Sequence, residues 1–442
     1  MSALFKHAFL VAAPHSNSGK TLITLGLIKA LCNKGLVVQP YKCGPDYIDP
    51  MHHKAVSGRP SYNLDTWMED AVNVKTLFEQ HLEHADVAIV EGVMGLFDGA
   101  TKSKGSSAEI AKLLSIPVIL VVDASSMAYS AAPLLFGFKN FDPAINFAGV
   151  IFNKTGSASH VRILEESARD ARLDMLGYIP RESRLSLESR HLGLHLPGEN
   201  KSMEVVNAAA RLVDKHIDID GLLGACRFQT QGQQKKQLSQ MGQQYVIAVA
   251  RDQAFNFTYQ ANLDALSEMG NIVYFSPIDD QSVPDTDIIW LPGGYPELFA
   301  EKLSNNASML LGIKNFVEAG KTVVAECGGM MYLGKSITDK NGAVFPMAGV
   351  FDFSTSFQNM KLRLGYREIL LKDQILKGHE FHYSHLVDNK SEPSINEVRT
   401  ARGDSVEMPI FRYKNCWASY MHLYLGNTSG MLNFLKSLTH HE

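Results

Sequence analysis

The sequence has 442 residues, which is enough for two or three domains. It is 45% hydrophobic and 20% charged, as is typical of soluble globular proteins, and its net charge of -4 provides no basic field for nucleic acid or an anionic membrane. Five cysteines without C-x-x-C spacing indicate neither a disulfide framework nor a zinc knuckle. We therefore expect a cytoplasmic enzyme with small-molecule substrates and no nucleic-acid or membrane partner. A homodimer is compatible with this composition.

Short apolar runs alternate with helical segments through the first half of the chain. For example, residues 21–34 place Leu25, Ile28 and Leu31 on one helix face, and Gly35 is suited to end that helix. Strand and helix in this alternation predict a parallel, doubly wound α/β sheet. The predicted strands are 9–13, 37–41, 87–90, 118–122 and 147–152.

A polar, Gln-rich segment at 229–244 has almost no large apolar side chains and predicts a linker. After it, strands predicted at 245–250, 272–275, 288–291 and 322–325 resume the alternation. We therefore expect one α/β domain at 1–228 and a second α/β domain at 245–442.

The first predicted strand runs into a loop that resembles a phosphate-binding loop. Residues 12–21 read A-A-P-H-S-N-S-G-K-T, so only the second half matches G-x-x-x-x-G-K-[ST]. Lys20 supplies an ammonium group for phosphate oxygens and Thr21 a hydroxyl for Mg²⁺, while the helix N-terminus favours an anion. A small-residue turn that caps a helix is the alternative, but the order of strand, loop and amphipathic helix favours phosphate. The predicted ATP-binding residues of this loop are Ser16, Asn17, Ser18, Gly19, Lys20 and Thr21.

Acidic residues follow the second and third long apolar strands. In an open parallel sheet these strand ends face the ligand, so Asp46, Glu91 and Asp98 are candidates for binding Mg²⁺ or orienting an acceptor. A turn or cap role is the alternative for each, and Asp49 beside Pro50 fits that role best. Glu91 is the strongest candidate, because a carboxylate at the tip of an apolar strand needs a cation.

Histidines occur as the pair His52 and His53 and as the spaced set His379, His382 and His385. Neither pattern provides a set of three or four ligands, and isolated histidines usually serve packing or hydrogen bonding. We assign no metal to them.

The second half contains a strand, a cysteine, two glycines and a helical segment at 322–333. This pattern is typical of a nucleophile elbow, in which a tight turn exposes the Cys327 thiol and the helix N-terminus is expected to lower its pKa. Gly294, in a second glycine-rich strand end, and Gly328 are the predicted oxyanion-hole residues. His422, after an apolar aromatic stretch, is the predicted base.

With both sites identified, nearly the whole chain resembles the cobyrinic acid a,c-diamide synthase family. The matching blocks are KCGPDYIDPMHH, GRPSYNLDTWM, EGVMGLFDG, GVIFNK, LGYIPR, SRHLGLHLP, LPGGYPE, AECGGMMYLG and GHEFHYS. The resemblance implies a dethiobiotin synthetase-like first domain and a class I glutamine amidotransferase-like second domain. It implies MgATP and glutamine as substrates and amidation of the a and c carboxylates of cobyrinic acid through acyl phosphates, in cobalamin biosynthesis.

The resemblance also implies roles for individual residues. Cys327 and His422 inherit the nucleophile and the base, and Asn153 inherits adenine recognition. The implied metal and acceptor residues lie on the loops after the first strands. They are Thr21, Asp46 and Glu91 for the metal, and Lys42, Asp46, Tyr47 and Asp98 for the acceptor.

Three positions depart from the usual patterns, and other functions stay open. Pro14 and Asn17 stand at positions in the loop that often carry glycine, and Tyr424 stands where many amidotransferases carry a carboxylate that orients the base. Related acceptors are hydrogenobyrinic acid and the nickel sirohydrochlorin used in nickel cofactor assembly. A more distant alternative is a ParA-like or MinD-like ATPase switch, although those proteins resemble a pattern with lysine where His15 stands.

Overall fold

A computed structural model describes residues 6–182, 189–190, 193–194, 202–229, 245–371, 374–394 and 397–439. The chain divides into two compact units, Met1–Lys235 and Lys236–Glu442. Residues 230–244 of the predicted linker lie outside the described ranges, so the domain boundaries at 228 and 245 stay a prediction.

The first unit is built on one large sheet. The strands of this unit are β1 Lys6–Ala12, β2 Val38–Cys43, β3 Tyr62–Leu64, β4 Val87–Glu91, β5 Val118–Asp123, β6 Phe147–Thr155, β7 Met175–Pro180, β8 Ser189–Arg190, β9 Gly193–Leu194 and β10 Arg227–Phe228. Of these, β8 and β9 form a separate two-stranded sheet. The helices of this unit are α1 Lys20–Asn33, α2 Ile48–Ser57, α3 Ala71–Leu82, α4 Ser107–Leu114, α5 Ala131–Phe141, α6 Ala158–Asp170, α7 Ser202–His216 and α8 Ile219–Ala225. The order of the large sheet is β3-β2-β4-β1-β5-β6-β7 with parallel neighbours, and β10 runs antiparallel beside β1.

The parallel sheet explains the apolar runs in the sequence. Helices cover both of its faces, so successive residues of the central strands are buried regardless of the face they point to. Phe9, Leu10, Ile89 and Val90 all have no exposed surface. The predicted doubly wound α/β fold is confirmed, and each of the five predicted strands overlaps an observed one.

The second unit contains three described sheets. Its strands are β11 Tyr245–Ala250, β12 Gly270–Phe275, β13 Ile288–Leu291, β14 Thr322–Glu326, β15 Ser336–Thr338, β16 Val344–Pro346, β17 Ser354–Ser356, β18 Arg363–Leu370, β19 Ile375–His382, β20 His385–Val387, β21 Glu397–Thr400, β22 Ile410–Tyr413, β23 Cys416–Ser419 and β24 Met421–Leu423. Its helices are α9 Gln260–Met269, α10 Ala300–Asn305, α11 Ala307–Glu318, α12 Gly328–Leu333 and α13 Thr428–Thr439, with a 3₁₀ turn at Pro296–Leu298.

The main sheet of this unit has the order β12-β11-β13-β14-β23-β22. The smaller sheets have the orders β16-β15-β17-β20 and β21-β18-β19-β24. The second predicted α/β domain is therefore confirmed, and each of its four predicted strands overlaps an observed one. Cys327 follows the central strand β14, and His422 lies on β24 of a neighbouring sheet.

Candidate active sites

The loop between β1 and α1 has the backbone expected of a phosphate loop. Gly19 and Asn17 adopt positive φ angles of 92° and 65°, so Asn17 takes the left-handed conformation that a glycine would otherwise supply. The Ser18 hydroxyl donates to the carbonyl of His15, 2.9 Å away, which closes the turn. Ser16 and Asn17 are exposed, as loop residues that contact a ligand would be.

Lys20 begins α1, and its side chain is buried within the loop region. The ammonium group donates to the carbonyl oxygens of Met94, at 2.6 Å, and His15, at 3.4 Å. Burial, together with the nearby Lys42 ammonium, lowers the pKa of Lys20 to about 8. An arriving phosphate would supply the anionic charge that stabilises this cation.

Asn153, at the C-terminal part of β6, fastens the phosphate loop. Its amide nitrogen donates to the Ser18 carbonyl at 2.9 Å, and its amide oxygen accepts from the Lys154 N–H at 2.9 Å. A Cβ added to Gly19 would lie 2.1 Å from Asn153 Nδ2, so glycine at 19 makes room for this contact. Its proposed contact with adenine stays a prediction.

Glu91 lies at the centre of the polar cluster beside this loop. It is in register with Val11 of β1 on one side and with Lys42 of β2 on the other. Its Oε1 accepts from Thr21 Oγ1 at 2.6 Å and from Lys42 Nζ at 3.2 Å, and its Oε2 lies 2.7 Å from His53 Nε2. Burial raises the pKa of Glu91, but the Lys42 charge and the hydrogen bonds from His53 and Thr21 outweigh burial and hold it well below its usual range.

Asp49 belongs to this cluster, so the sequence-based interpretation of it as a simple turn residue was wrong. It lies in the first turn of α2, is buried, and its Oδ2 is 2.5 Å from Lys42 Nζ and 3.5 Å from Thr21 Oγ1. Lys42 is therefore held between Asp49 and Glu91. Burial lowers the pKa of Lys42, but these carboxylates outweigh it and raise the pKa well above its usual value.

The other predicted acidic residues have local partners. Asp46 Oδ1 accepts from the N–H groups of Ile48 and Asp49, which caps the start of α2, and its Oδ2 is 3.8 Å from Lys42 Nζ. Asp98 is exposed and accepts from the Gly95 N–H at 2.9 Å. Tyr47 is buried next to Asp46. Their assignment to metal or acceptor binding stays a prediction.

The donors around Thr21 suit a magnesium nucleotide. A hydroxyl and two carboxylates supply hard oxygen atoms, and Mg²⁺ in nucleotide sites needs only one or two carboxylates because phosphates and water complete its coordination. Across the described residues, no group of three or more His, Cys, Asp or Glu is suitably arranged for a metal.

Cys327 stands at a sharp turn between β14 and α12. Its φ of 45° and ψ of -100° place it outside the common conformations of an L-residue, as in a nucleophile elbow. Its N–H donates to the Ser419 carbonyl at 2.7 Å, and a Cβ on Gly329 would lie 2.1 Å from the Leu291 carbonyl oxygen. A glycine is therefore required at position 329, where the backbone of β13 comes close.

Gly294 and Gly328 lie beside each other. The amide nitrogen of Gly294 is 3.1 Å from the position that a Cβ on Gly328 would occupy. Gly294 has a φ of 156°, and a Cβ there would lie 2.0 Å from the Ala254 carbonyl oxygen. The two predicted oxyanion-hole residues thus share one small region of backbone.

His422 packs directly against this glycine turn. A Cβ on Gly293 would lie 2.2 Å from His422 Cε1, so the imidazole occupies the space that glycine leaves. Burial, with smaller contributions from His379 and His382, lowers the pKa of His422 to about 3. The imidazole is therefore neutral, and its burial makes it a weaker base than an exposed histidine.

The thiol pKa differs from the sequence-based expectation. Burial, reinforced by the Glu297 charge, raises the pKa of Cys327 above its ordinary value, so the predicted lowering by the helix N-terminus was wrong for this state. The six-residue helix α12 does not outweigh the loss of water. Burial therefore favours the neutral forms of both Cys327 and His422.

A buried carboxyl precedes the nucleophile. Glu326 Oε1 accepts from the Leu423 N–H at 2.9 Å, which joins β14 to the strand that carries His422. Burial raises the pKa of Glu326 to about 8. Tyr424 instead packs edge-on against Tyr259, with ring centroids 5.1 Å apart. Glu326 thus links β14 to the backbone of the residue after His422.

A polar group that sequence reasoning missed lies on β18 and β19. Glu380 accepts from Arg367 Nε at 2.7 Å and lies 2.9 Å from His382 Nε2, and His382 stacks on Tyr420 with centroids 3.6 Å apart. The carbonyl of Phe381, between Glu380 and His382, is 3.9 Å from Cys327 Sγ. The GHEFHYS block therefore borders the thiol.

Comparison with known proteins decides the family. Residues 9–194 match a CobQ/CobB/MinD/ParA nucleotide-binding domain, and residues 246–430 match a CobB/CobQ-like glutamine amidotransferase domain. The chain is 41% identical to the cobyrinate a,c-diamide synthase of Caldanaerobacter subterraneus subsp. tengcongensis, over 94% of this chain and 95% of that one. It is also 41% identical to the hydrogenobyrinate a,c-diamide synthase of Brucella anthropi, over 94% of this chain and 98% of that one.

The chain belongs to the a,c-diamide synthase family. A further member, the cobyrinate a,c-diamide synthase of Picrophilus torridus, is 38% identical over 95% of each chain. Membership confirms the predicted family, the predicted enzyme class of glutamine-hydrolysing ligase and the nucleotide-binding first domain. The roles of individual site residues stay predictions. None of the described helices combines the length and apolar character needed to cross a membrane.

Proposed function

We propose that this chain amidates the a and c carboxylates of cobyrinic acid, using ATP and glutamine, in cobalamin biosynthesis. The observation that carries this proposal is the 41% identity to a cobyrinate a,c-diamide synthase along nearly the whole of both chains. The presence of a phosphate loop at Lys20 and a cysteine elbow at Cys327 in one chain supports it. We place the reaction in the cytoplasm, where ATP is available and free thiols are stable.

In the first unit, the phosphate loop binds the triphosphate of ATP. Lys20 contacts the phosphate oxygens, and Thr21, Glu91 and Asp49 provide the oxygen atoms for Mg²⁺, which neutralises phosphate charge when bound. Lys42, which pairs with Glu91 and Asp49, binds an acceptor carboxylate oxygen in this proposal. An acceptor oxygen attacks the γ-phosphorus, ADP leaves, and an acyl phosphate forms.

In the second unit, Cys327 and His422 release ammonia from glutamine. Neutral His422 accepts the thiol proton while Sγ attacks the side-chain amide carbon, and the N–H groups of Gly294 and Gly328 bind the developing oxyanion. The imidazolium then returns its proton to the departing ammonia. Water cleaves the remaining thioester to glutamate and regenerates the thiol. Ammonia attacks the acyl phosphate, and inorganic phosphate leaves as the amide forms.

Hydrogenobyrinic acid is a second candidate acceptor. The Brucella relative named for it has the same identity to this chain as the cobyrinate relative from Caldanaerobacter. The nickel sirohydrochlorin and ATPase-switch alternatives gain no support from these names.

A direct assay tests the proposal. The protein is incubated with MgATP, either glutamine or ammonium chloride, and cobyrinic or hydrogenobyrinic acid in parallel, and product mass is followed. We expect each of two amidations to lower the product mass by about one dalton, since each replaces OH with NH₂. An unchanged mass with both acceptors and both nitrogen donors would refute the proposal. The ratio of the two initial rates identifies the preferred acceptor.

A further inference from the structure

His53 is a buried side chain of the first unit that the mechanism above does not use. It lies on α2, and neither His53 nor Glu91 has exposed surface. Its Nε2 is 2.7 Å from Glu91 Oε2, and its Nδ1 is 3.0 Å from the hydroxyl of Ser61. Ser61, His53 and Glu91 therefore form a buried hydrogen-bonded chain that ends beside the phosphate loop.

The two oxygens of Glu91 have different partners. Oε1 faces Thr21 and Lys42, which belong to the proposed nucleotide and acceptor site. Oε2 faces His53, on the other side of the carboxylate. A carboxylate held at both oxygens has a fixed plane, whereas one held at a single oxygen can rotate about its last torsion, which is broad. His53 thus determines where Oε1 points.

Ser61 determines how His53 can act. An ionised carboxylate only accepts hydrogen bonds, so Nε2 carries the proton that is donated to Glu91. In the neutral imidazole Nδ1 is then an acceptor, and the Ser61 hydroxyl, 3.0 Å away, is placed to donate to it. A histidine whose tautomer is fixed by an outer partner is a common way to orient the groups that hold a metal.

We propose that His53 is a positioning residue for Glu91, with Ser61 fixing its tautomer. By holding Glu91 Oε2, His53 keeps Oε1 directed at Thr21 and so prepares the oxygen atoms that receive Mg²⁺ with the nucleotide. His53 contacts neither the nucleotide nor the acceptor in this arrangement. The inference rests on the proposed function, because it assumes that a magnesium nucleotide binds at the loop.

Equilibrium binding of the non-hydrolysable analogue adenylyl imidodiphosphate, titrated at increasing Mg²⁺, tests this role without turnover. His53→Leu removes the donor, and we expect it to raise the Mg²⁺ concentration for half-maximal binding about tenfold, in the range typical for outer-shell changes. His53→Gln retains an N–H donor and should restore most of the wild-type Mg²⁺ dependence. Binding of the analogue in EDTA should be the same in all variants.

His84→Leu is the control, because it removes an exposed histidine of the same unit and should bind like wild type. Wild-type Mg²⁺ dependence in His53→Leu, or an equal loss of binding with and without Mg²⁺, would overturn the inference. If His53→Leu does not fold, Ser61→Ala decides: we expect an increase of about threefold in the Mg²⁺ requirement, and no increase would overturn the inference. Failure of the wild-type protein to bind the analogue would instead refute the proposed function.

Discussion

The two candidate sites are organised by different kinds of interaction. In the first unit, charged side chains hold one another: Lys42 lies between Asp49 and Glu91, and His53 donates to Glu91. In the second unit, Cys327 and His422 are buried, and burial shifts the pKa of each towards its neutral form. Removing a charge should therefore damage the first site most, whereas altering the backbone should damage the second.

Both sites nevertheless use a glycine to make room for a functional side chain. A Cβ on Gly19 would lie 2.1 Å from Asn153 Nδ2, and a Cβ on Gly293 would lie 2.2 Å from His422 Cε1. Neither approach tolerates a methyl group without movement of the neighbouring side chain. The sites differ in the side chain for which the glycine leaves space. Gly19 leaves space for Asn153, which contacts the phosphate loop, and Gly293 leaves space for His422, the predicted base.

A large loss with both nitrogen donors is expected from removing the cation of the phosphate loop. Lys20→Ala should reduce turnover at least about a hundredfold with glutamine and with ammonium alike, because both depend on ATP. Initial rates with glutamine and with ammonium measure the loss. The control is Lys34→Ala, which removes an exposed lysine at the other end of α1. A variant that kept turnover with ammonium would show that the charge-based account of the first site is wrong.

Gly293→Ala tests whether the second site depends on its backbone. The added methyl group should displace His422 and lower glutamine-dependent turnover by about a hundredfold, while ammonium-dependent turnover stays near wild type. Gly137→Ala, in α5 with nothing within 4 Å of the added Cβ, is the matched control. Equal losses with glutamine and with ammonium would show that Gly293 has no specific role in releasing ammonia from glutamine.

Asn153→Ala tests whether the loop also depends on a neutral contact. Loss of the hydrogen bond to the Ser18 carbonyl should raise the KM for ATP by about tenfold with little change in kcat, because a loose loop binds phosphates less well. The same measurement with GTP distinguishes two roles. A similar rise for both nucleotides supports loop anchoring, whereas a rise confined to ATP supports adenine recognition.

A pH-dependent effect on stability rather than on turnover is expected at Glu326. Its pKa is near 8 in the folded protein against an ordinary 4.5, so the folded state retains a proton that the unfolded state loses over this range. The contribution to stability is fully present below pH 4.5 and is lost, by up to about 1.4 kcal/mol per pH unit, as pH rises to 8.

Glu326→Gln should remove this slope, because glutamine does not ionise. Urea unfolding between pH 5 and 8 measures it, followed by the fluorescence of Trp290 and Trp417 of the second unit in a Trp67→Phe background. The exposed Glu318→Gln is the control and should keep the wild-type slope apart from its own surface contribution. An unchanged slope in Glu326→Gln would show that Glu326 does not retain its proton in the fold.

Local sequence patterns predicted the parts of the sites that are local in the fold. The strand, cysteine and glycine pair at 322–329 formed the expected turn because the residues that shape it are adjacent in sequence. The same holds for the loop before α1, where Asn17 adopts the left-handed conformation. The short strand β3 and the glycine-containing strand β7 were missed, since neither contains a long apolar run.

Contacts between distant residues could not be predicted in this way. Asp49 looked like a turn residue because its partner Lys42 is on another element, and His53 looked unremarkable because Glu91 is 38 positions away. The pKa of Cys327 was expected to fall, because the sequence shows the following helix but not the depth of burial. The signal that could have found His53 was its place three residues after the KCGPDYIDP segment, which follows the second predicted strand.

The most direct test of two separate sites in one chain is Cys327→Ser assayed with both nitrogen donors. We predict that glutamine-dependent amidation falls by roughly four orders of magnitude or more, as for removal of other catalytic nucleophiles, while ammonium-dependent amidation stays near the wild-type rate. Serine keeps the shape of the turn, so the first unit should be unaffected. Retained glutamine-dependent turnover, or an equal loss with ammonium, would contradict the assignment of ammonia release to the second unit.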